Sequence, residues 1–188
     1  MTHLWLRAEH RGDESRTPLT PDGAAALIAQ GIRVTVENSP RRTFANAAYA
    51  AAGCILAPAG SWPDAPPEAL ILGLKELPDD DRPLTHRHIF FGHAFKGQPG
   101  AARLLARFRA GGGALLDLEA LTDAQGRRLA AFGYWAGFAG AAVALLALAA
   151  QAEGGILGPL DGATDRAALL AEGRAALAEA APRVLVIG

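Results

Sequence analysis

Leu70-Ile71-Leu72-Gly73-Leu74-Lys75-Glu76 is the stretch that decides the fold of this chain. Residues 70–74 carry no polar side chain and show no alternation, the pattern of a strand buried on both faces of a parallel sheet. Lys75 and Glu76 follow at the carboxyl end of that strand. Working outward, residues 88–91 read as a second such strand, and 4–7, 33–37, 54–57 and 114–118 as four more. Helices are predicted between them: 21–30, opened by Thr20 and Pro21, then 44–52, and 99–110 before the glycine run Gly111-Gly112-Gly113. Strands alternating with helices predict an α/β domain with a mostly parallel sheet.

Composition narrows the function. Net charge is −1 and 51% of the 188 residues are hydrophobic, so the electrostatic footprint of a nucleic-acid-binding protein is missing. The single cysteine, Cys54, excludes an internal disulfide, fits a reducing cytoplasm and reads as an inert core thiol. The N-terminus lacks the basic start and apolar core of a signal peptide. Of eighteen Lys and Arg residues only Lys75 and Lys96 are lysine. Lysine can lose its proton near neutral pH when desolvated and arginine cannot, so lysines kept in an arginine-biased chain are candidates for proton transfer.

Beyond residue 122 the chain is expected to turn helical. Residues 129–152 carry no charge and are long enough to cross a bilayer, but Ala and Gly dominate them. Insertion depends on Leu, Ile, Phe and Val, so the segment is expected to be a buried helix of a soluble protein rather than a membrane span. A loop over 154–161 and an amphipathic helix over 165–180 should follow. Arg183-Val184-Leu185-Val186-Ile187-Gly188 resembles the first strand of a dinucleotide-binding unit, with Gly188 the first glycine of a Gly-x-Gly-x-x-Gly turn. An edge strand is the alternative reading of the same residues, and the preceding helix with the abrupt stop favours a truncated unit.

Parallel α/β sheets bind ligands outside the carboxyl ends of their strands. Lys75 and Glu76 follow the strand at 70–74, His93 and Lys96 the strand at 88–91, and Glu119 the strand at 114–118. Arg16 lies in the loop after the first strand. A lysine near a histidine, flanked by carboxylates, can act as an acid–base set. His86 and His88 share a strand face near His93. No carboxylate or cysteine completes the spacing of a zinc site, so no metal is expected.

Further motifs occur together and in order. Leu6-Arg7-Ala8-Glu9 is followed by Arg16 and Leu19-Thr20-Pro21, and later by Val36-Glu37-Asn38-Ser39-Pro40 and Pro58-Ala59-Gly60-Ser61-Trp62. Then come Gly73-Leu74-Lys75-Glu76-Leu77-Pro78, Phe91-Gly92-His93-Ala94-Phe95-Lys96, Asp117-Leu118-Glu119 and Gln125-Gly126-Arg127-Arg128 with Ala130-Ala131-Phe132-Gly133. In these the chain resembles the saccharopine dehydrogenases of the NAD-dependent, lysine-forming type, within the alanine dehydrogenase-like superfamily.

The resemblance covers about residues 4–142, weakens to 182 and resumes at 183–188. It implies a Rossmann-like three-layer catalytic domain on the substrate side over 1–130, and an interdomain helical segment over 131–182. The first strand of an NAD-binding domain, cut off, would occupy 183–188. It implies NAD-dependent oxidation of saccharopine to an imine, hydrolysed to lysine and 2-oxoglutarate by a cytoplasmic enzyme expected to be monomeric. By position, Lys75 and His93 would be the acid–base pair, and Glu76 and Glu119 the carboxylates that modulate them. Arg16, Lys96 and Arg128 would hold substrate carboxylates, and Arg127 and Gly188 would lie on the cofactor side. The family usually has a lysine where this chain has Arg11, and Gly12-Asp13-Glu14 is also unusual there. A stand-alone binding or regulatory module without redox activity, or a related opine or alanine dehydrogenase, are the other functions compatible with these residues.

Overall fold

In the computed structural model the described residues are 1–131, 133–160 and 166–177. The chain divides into two compact units, one of residues Met1–Ala130 and one starting at Ala131. In the first unit β1 (His3–Leu6), β2 (Arg33–Glu37), β3 (Ile55–Ala57), β4 (Leu70–Leu72), β5 (Arg87–Phe90) and β6 (Ala114–Asp117) form one sheet. Its order is β3-β2-β1-β4-β5-β6 and every neighbouring pair is parallel. The expected fold class is therefore present.

Side-chain alternation along the central strands builds the layers. Leu4, Leu6, Val34, Val36 and Leu72 bury against one face with Ala24 of α1 (Pro21–Ala29) and Tyr49 of α2 (Asn46–Ala51). Ile71 and Phe90 bury on the opposite face with Trp62 and with Phe108 of α3 (Ala101–Gly111). Helices cover both faces, which is why residues 70–72 can be apolar without alternation. Cys54 is buried in the first of these cores, and burial pushes its thiol pKa up.

The second core encloses an unusual histidine. His88 is fully buried among Trp62, Phe90 and Phe108, and neither ring nitrogen has a hydrogen-bond partner. Burial, with Arg7, His86 and Arg107 nearby, lowers its pKa from 6.5 to about 3. His86 turns instead to the Ala65 carbonyl at 3.0 Å. Among the described residues no three His, Cys, Asp or Glu side chains converge as metal ligands would.

Two expectations about the later chain need correction. Residues after Thr122 do not turn helical: Thr122 pairs with Arg128 in an antiparallel bridge, and Asp123 closes the turn between them. The Asp123 carboxylate accepts from the Gln125 and Arg127 backbone N–H groups, both at 2.9 Å, giving those amides a partner outside any helix. The helix starts only at α4 (Tyr134–Ala152), followed by α5 (Arg166–Leu177). Nor is α4 a buried helix among the described residues. Only Ala142 and Leu146 are buried, while Tyr134 and Trp135 are exposed. Among the described residues α5 is the element packed most extensively on it, and that covers only one stripe. Its 19 residues and mean hydropathy of 1.6 would satisfy a membrane crossing by length and composition. Residues 183–188, with the expected strand and Gly188, lie outside the described residues.

Candidate active site at the strand ends

Because all six strands run the same way, their carboxyl ends form a single edge. Strand order reverses between β1 and β4, the switch point where sheets of this kind open a crevice. Adjacent strands lie about 4.8 Å apart. Residues following β1, β4, β5 and β6 are thus carried side by side, and the predicted site residues Arg16, Lys75, Glu76, His93, Lys96 and Glu119 all belong to these loops.

The structure gathers them into two groups. At the β5–β6 side, Glu119 sits in a short 3-10 turn (Leu118–Ala120) directly after β6. Its carboxylate meets Lys96 Nζ, lies 2.9 Å from Arg128 Nη2 and 3.5 Å from His93 Nδ1. The Lys96 hydrogen bond, aided by the charge of Arg128, holds the Glu119 carboxyl below the usual carboxylate range. Arg128 reaches the group across the turn that Asp123 closes. Asp117 fastens the two loops together, accepting from Gly92 N at 3.1 Å and Glu119 N at 3.0 Å. His93 is in the left-handed region, with φ +48°, a conformation costing a non-glycine residue about 1–2 kcal/mol. The loop holds it there with its side chain 44% exposed and turned to Glu119.

At the β1–β4 side, Arg11 bridges Asp13 at 2.7 Å and Glu76 at 3.5 Å. The carboxylate of Glu14 accepts from Arg16 Nε at 2.8 Å and Nη2 at 2.6 Å, which raises the Arg16 pKa and lowers that of Glu14. Lys75 is close enough for its charge to help lower the pKa of both Asp13 and Glu14, behind the larger effects of Arg11 and Arg16. No hydrogen bond or ion pair joins Lys75 to His93 among the described residues. Arg127 belongs to neither group: it is tied to Asp123 at 2.8 Å in the exposed turn. A groove of about 370 Å³ begins at Glu76 and Gly92 and runs to Arg103 at the start of α3.

Sequence reasoning passed over the residues beneath Lys75. Arg7, Glu9 and Glu37 are buried at the ends of β1 and β2. Glu37 accepts from Trp5 Nε1 at 3.1 Å and from the backbone of Ala8, Gly60 and Trp62 at 2.6–2.8 Å. All three occur in the motifs Leu6-Arg7-Ala8-Glu9 and Val36-Glu37 but were given no role, because their burial depends on distant partners. The signal that could have found them is Gly73, a glycine inside an otherwise apolar strand run.

Comparison with known proteins agrees with this architecture. Residues 5–139 match the family described as Alanine dehydrogenase/PNT, N-terminal domain. Over 143 residues the chain is 54% identical to a saccharopine dehydrogenase [NAD(+), L-lysine-forming] from Emericella nidulans, covering 76% of this chain and 38% of that protein. The corresponding Neurospora crassa protein is 47% identical across all of this chain, which spans 52% of its length. Among solved structures, an L-alanine dehydrogenase superposes with a TM-score of 0.55 at 14% identity, covering 79% of this chain and 38% of that one. That likeness concerns the fold alone. The sequence match over residues 5–139 places this chain in the alanine dehydrogenase/PNT N-terminal domain family.

Proposed function

We propose that this chain forms the substrate side of a saccharopine dehydrogenase that releases lysine and 2-oxoglutarate. The observation that carries the reading is the meeting of Lys96, Arg128, His93 and Glu119 beyond β5 and β6, with β5 adjoining the strand that bears Lys75. Saccharopine is a secondary amine bearing several carboxylates. Oxidising it to an imine and hydrolysing that imine require protons moved at nitrogen and at an attacking water. Lys75 and His93, on adjacent strand ends, are the groups proposed to move them. Lys96 and Arg128 are oriented by Glu119 with roughly half of each side chain exposed, and they are proposed to hold substrate carboxylates. Arg16, braced by Glu14, would serve another carboxylate, and Glu76 would stand beside Lys75.

NAD, named with the relatives' activity, does not fit the described residues. Their glycine run, Gly111-Gly112-Gly113, is consumed by packing: a Cβ at Gly111 would lie 2.2 Å from the Leu84 carbonyl oxygen, and one at Gly113 would lie 2.4 Å from that of His86. The crevice after β1 holds Arg7, Glu9 and Glu37 instead of a glycine turn. Cofactor binding is proposed for other parts of the full-length protein, with Arg127, exposed in its turn, proposed to face that side. Full-length protein supplied with saccharopine and NAD should form NADH. Turnover of alanine or another opine, with none of saccharopine, would replace this reading by a related dehydrogenase.

A further inference from the structure

The switch-point crevice between β1 and β4 is filled by the protein itself. Arg7, 2% exposed, donates from Nη2 to the carbonyl oxygen of Lys75 and from Nη1 to Glu9 Oε2 at 3.3 Å. Glu9 spends its two oxygens on the same loop. Oε1 accepts from Leu74 N at 2.7 Å and Oε2 from Lys75 N at 3.0 Å. Both polar groups of the Lys75 backbone are therefore held by one buried ion pair, at the point where β4 stops pairing with its neighbours. Gly73 makes this possible, because a Cβ there would sit 2.3 Å from Arg7 Nε. Arg42 Nη2 reaches the Arg7 carbonyl at 3.4 Å, and Glu37 accepts from Ala8 N at 2.8 Å, so the peptide between the two clamp residues is pinned at both of its polar atoms.

We propose that Arg7 and Glu9 are positioning residues that fix the backbone of Lys75, and so aim its amine, without touching substrate themselves. This rests on the reading of Lys75 as a proton-transfer group. Both side chains are buried, and the Arg7 Nη atoms and both Glu9 oxygens face main chain or each other, while Arg7 Nε is buried without a partner against Gly73, so neither side chain is placed to meet a ligand. A carboxylate suits the task because it can accept from two adjacent N–H groups at once, which the single oxygen of a glutamine amide does poorly.

The test uses full-length protein and the Glu9→Gln variant. Hydrogen–deuterium exchange should show the amides of Leu74 and Lys75 opening about tenfold or more faster, consistent with loss of one charged hydrogen-bond partner, while strands β1, β2 and β5 keep wild-type protection. Unchanged exchange at 74 and 75 would overturn the proposal. With saccharopine as substrate, Glu9→Gln should lower kcat about ten- to a hundredfold, within the range of losing acid–base efficiency, and leave KM near its wild-type value. In a Lys75→Met background the same change should cost nothing more. An additive loss, or a loss confined to KM, would also overturn it.

Should Glu9→Gln fail to fold, Arg7→Lys makes the same comparison, keeping a cation beside Glu9 while giving up the guanidinium fork. If wild-type protein does not turn over saccharopine, the proposed function fails. The exchange arm then still decides whether the clamp holds residue 75.

Discussion

Lys75 and Glu119 stand at the same sheet edge and are held in opposite ways. Lys75 is fixed through its main chain by Arg7 and Glu9, which are buried and aimed inward. Glu119 is the hub of an open side-chain network in which Lys96, Arg128 and His93 remain about half exposed. A buried ion pair tied to main-chain partners favours one geometry. An exposed network is screened and can exchange partners. On the proposed function, residue 75 is positioned by buried groups through its main chain, whereas Lys96 and Arg128 meet ligand through an adjustable network. Each half of the contrast can be broken separately.

The largest effect is expected at Lys75 itself. Lys75→Met should reduce saccharopine turnover by about two to four orders of magnitude, as for loss of a general acid or base. Steady-state kinetics on full-length enzyme check this, and turnover near wild type would remove Lys75 from the chemistry. Next comes Arg7→Leu, which leaves Glu9 without its ion-pair partner. Breaking a buried pair in this way costs about 3–5 kcal/mol. Urea unfolding should show that loss, and a change under about 1 kcal/mol would mean the pair behaves like a surface salt bridge.

The histidines repeat the contrast on a smaller scale. Buried His88 stays neutral down to about pH 3 in the folded chain, whereas the unfolded chain takes up that proton near pH 6.5. Stability from this residue is therefore complete above pH 6.5 and drains away as pH falls. The loss from His88 is about 2 kcal/mol by pH 5 and at most about 5 kcal/mol in total. His88→Leu should flatten that part of the decline between pH 7 and 5 in urea unfolding, and an unchanged slope would contradict it. Glu119→Gln should have the smallest effect on stability, leaving the unfolding midpoint close to wild type. It should still raise KM for saccharopine, because Lys96 and Arg128 lose the carboxylate that orients them. A large drop in the midpoint would make the network a structural one.

What could be read from the chain follows from the range of the interactions involved. The apolar run around Ile71 and the alternation of strands with helices are local signals, and they placed Lys75, His93 and Glu119 at strand ends correctly. Arg128 meets Glu119 only because the chain folds back in the turn that Asp123 closes, so that meeting was not legible. The Arg7–Glu9 grip on Lys75 spans more than sixty residues and hides in motifs whose burial depends on distant partners. Asp123 misled because its carboxylate captures the next amides in a turn, leaving the apolar stretch to become helical only at Tyr134. The composition of α4 likewise announces a helix without saying how much of it other elements cover.

The most direct test returns to the scarcity of lysine in this chain. Lys75→Arg in the full-length enzyme keeps the positive charge and removes the ability to give up a proton near neutral pH. Saccharopine-dependent NADH formation by Lys75→Arg should be as depressed as that of Lys75→Met. Activity close to wild type in Lys75→Arg would show that residue 75 supplies charge alone, and would contradict proton transfer by Lys75.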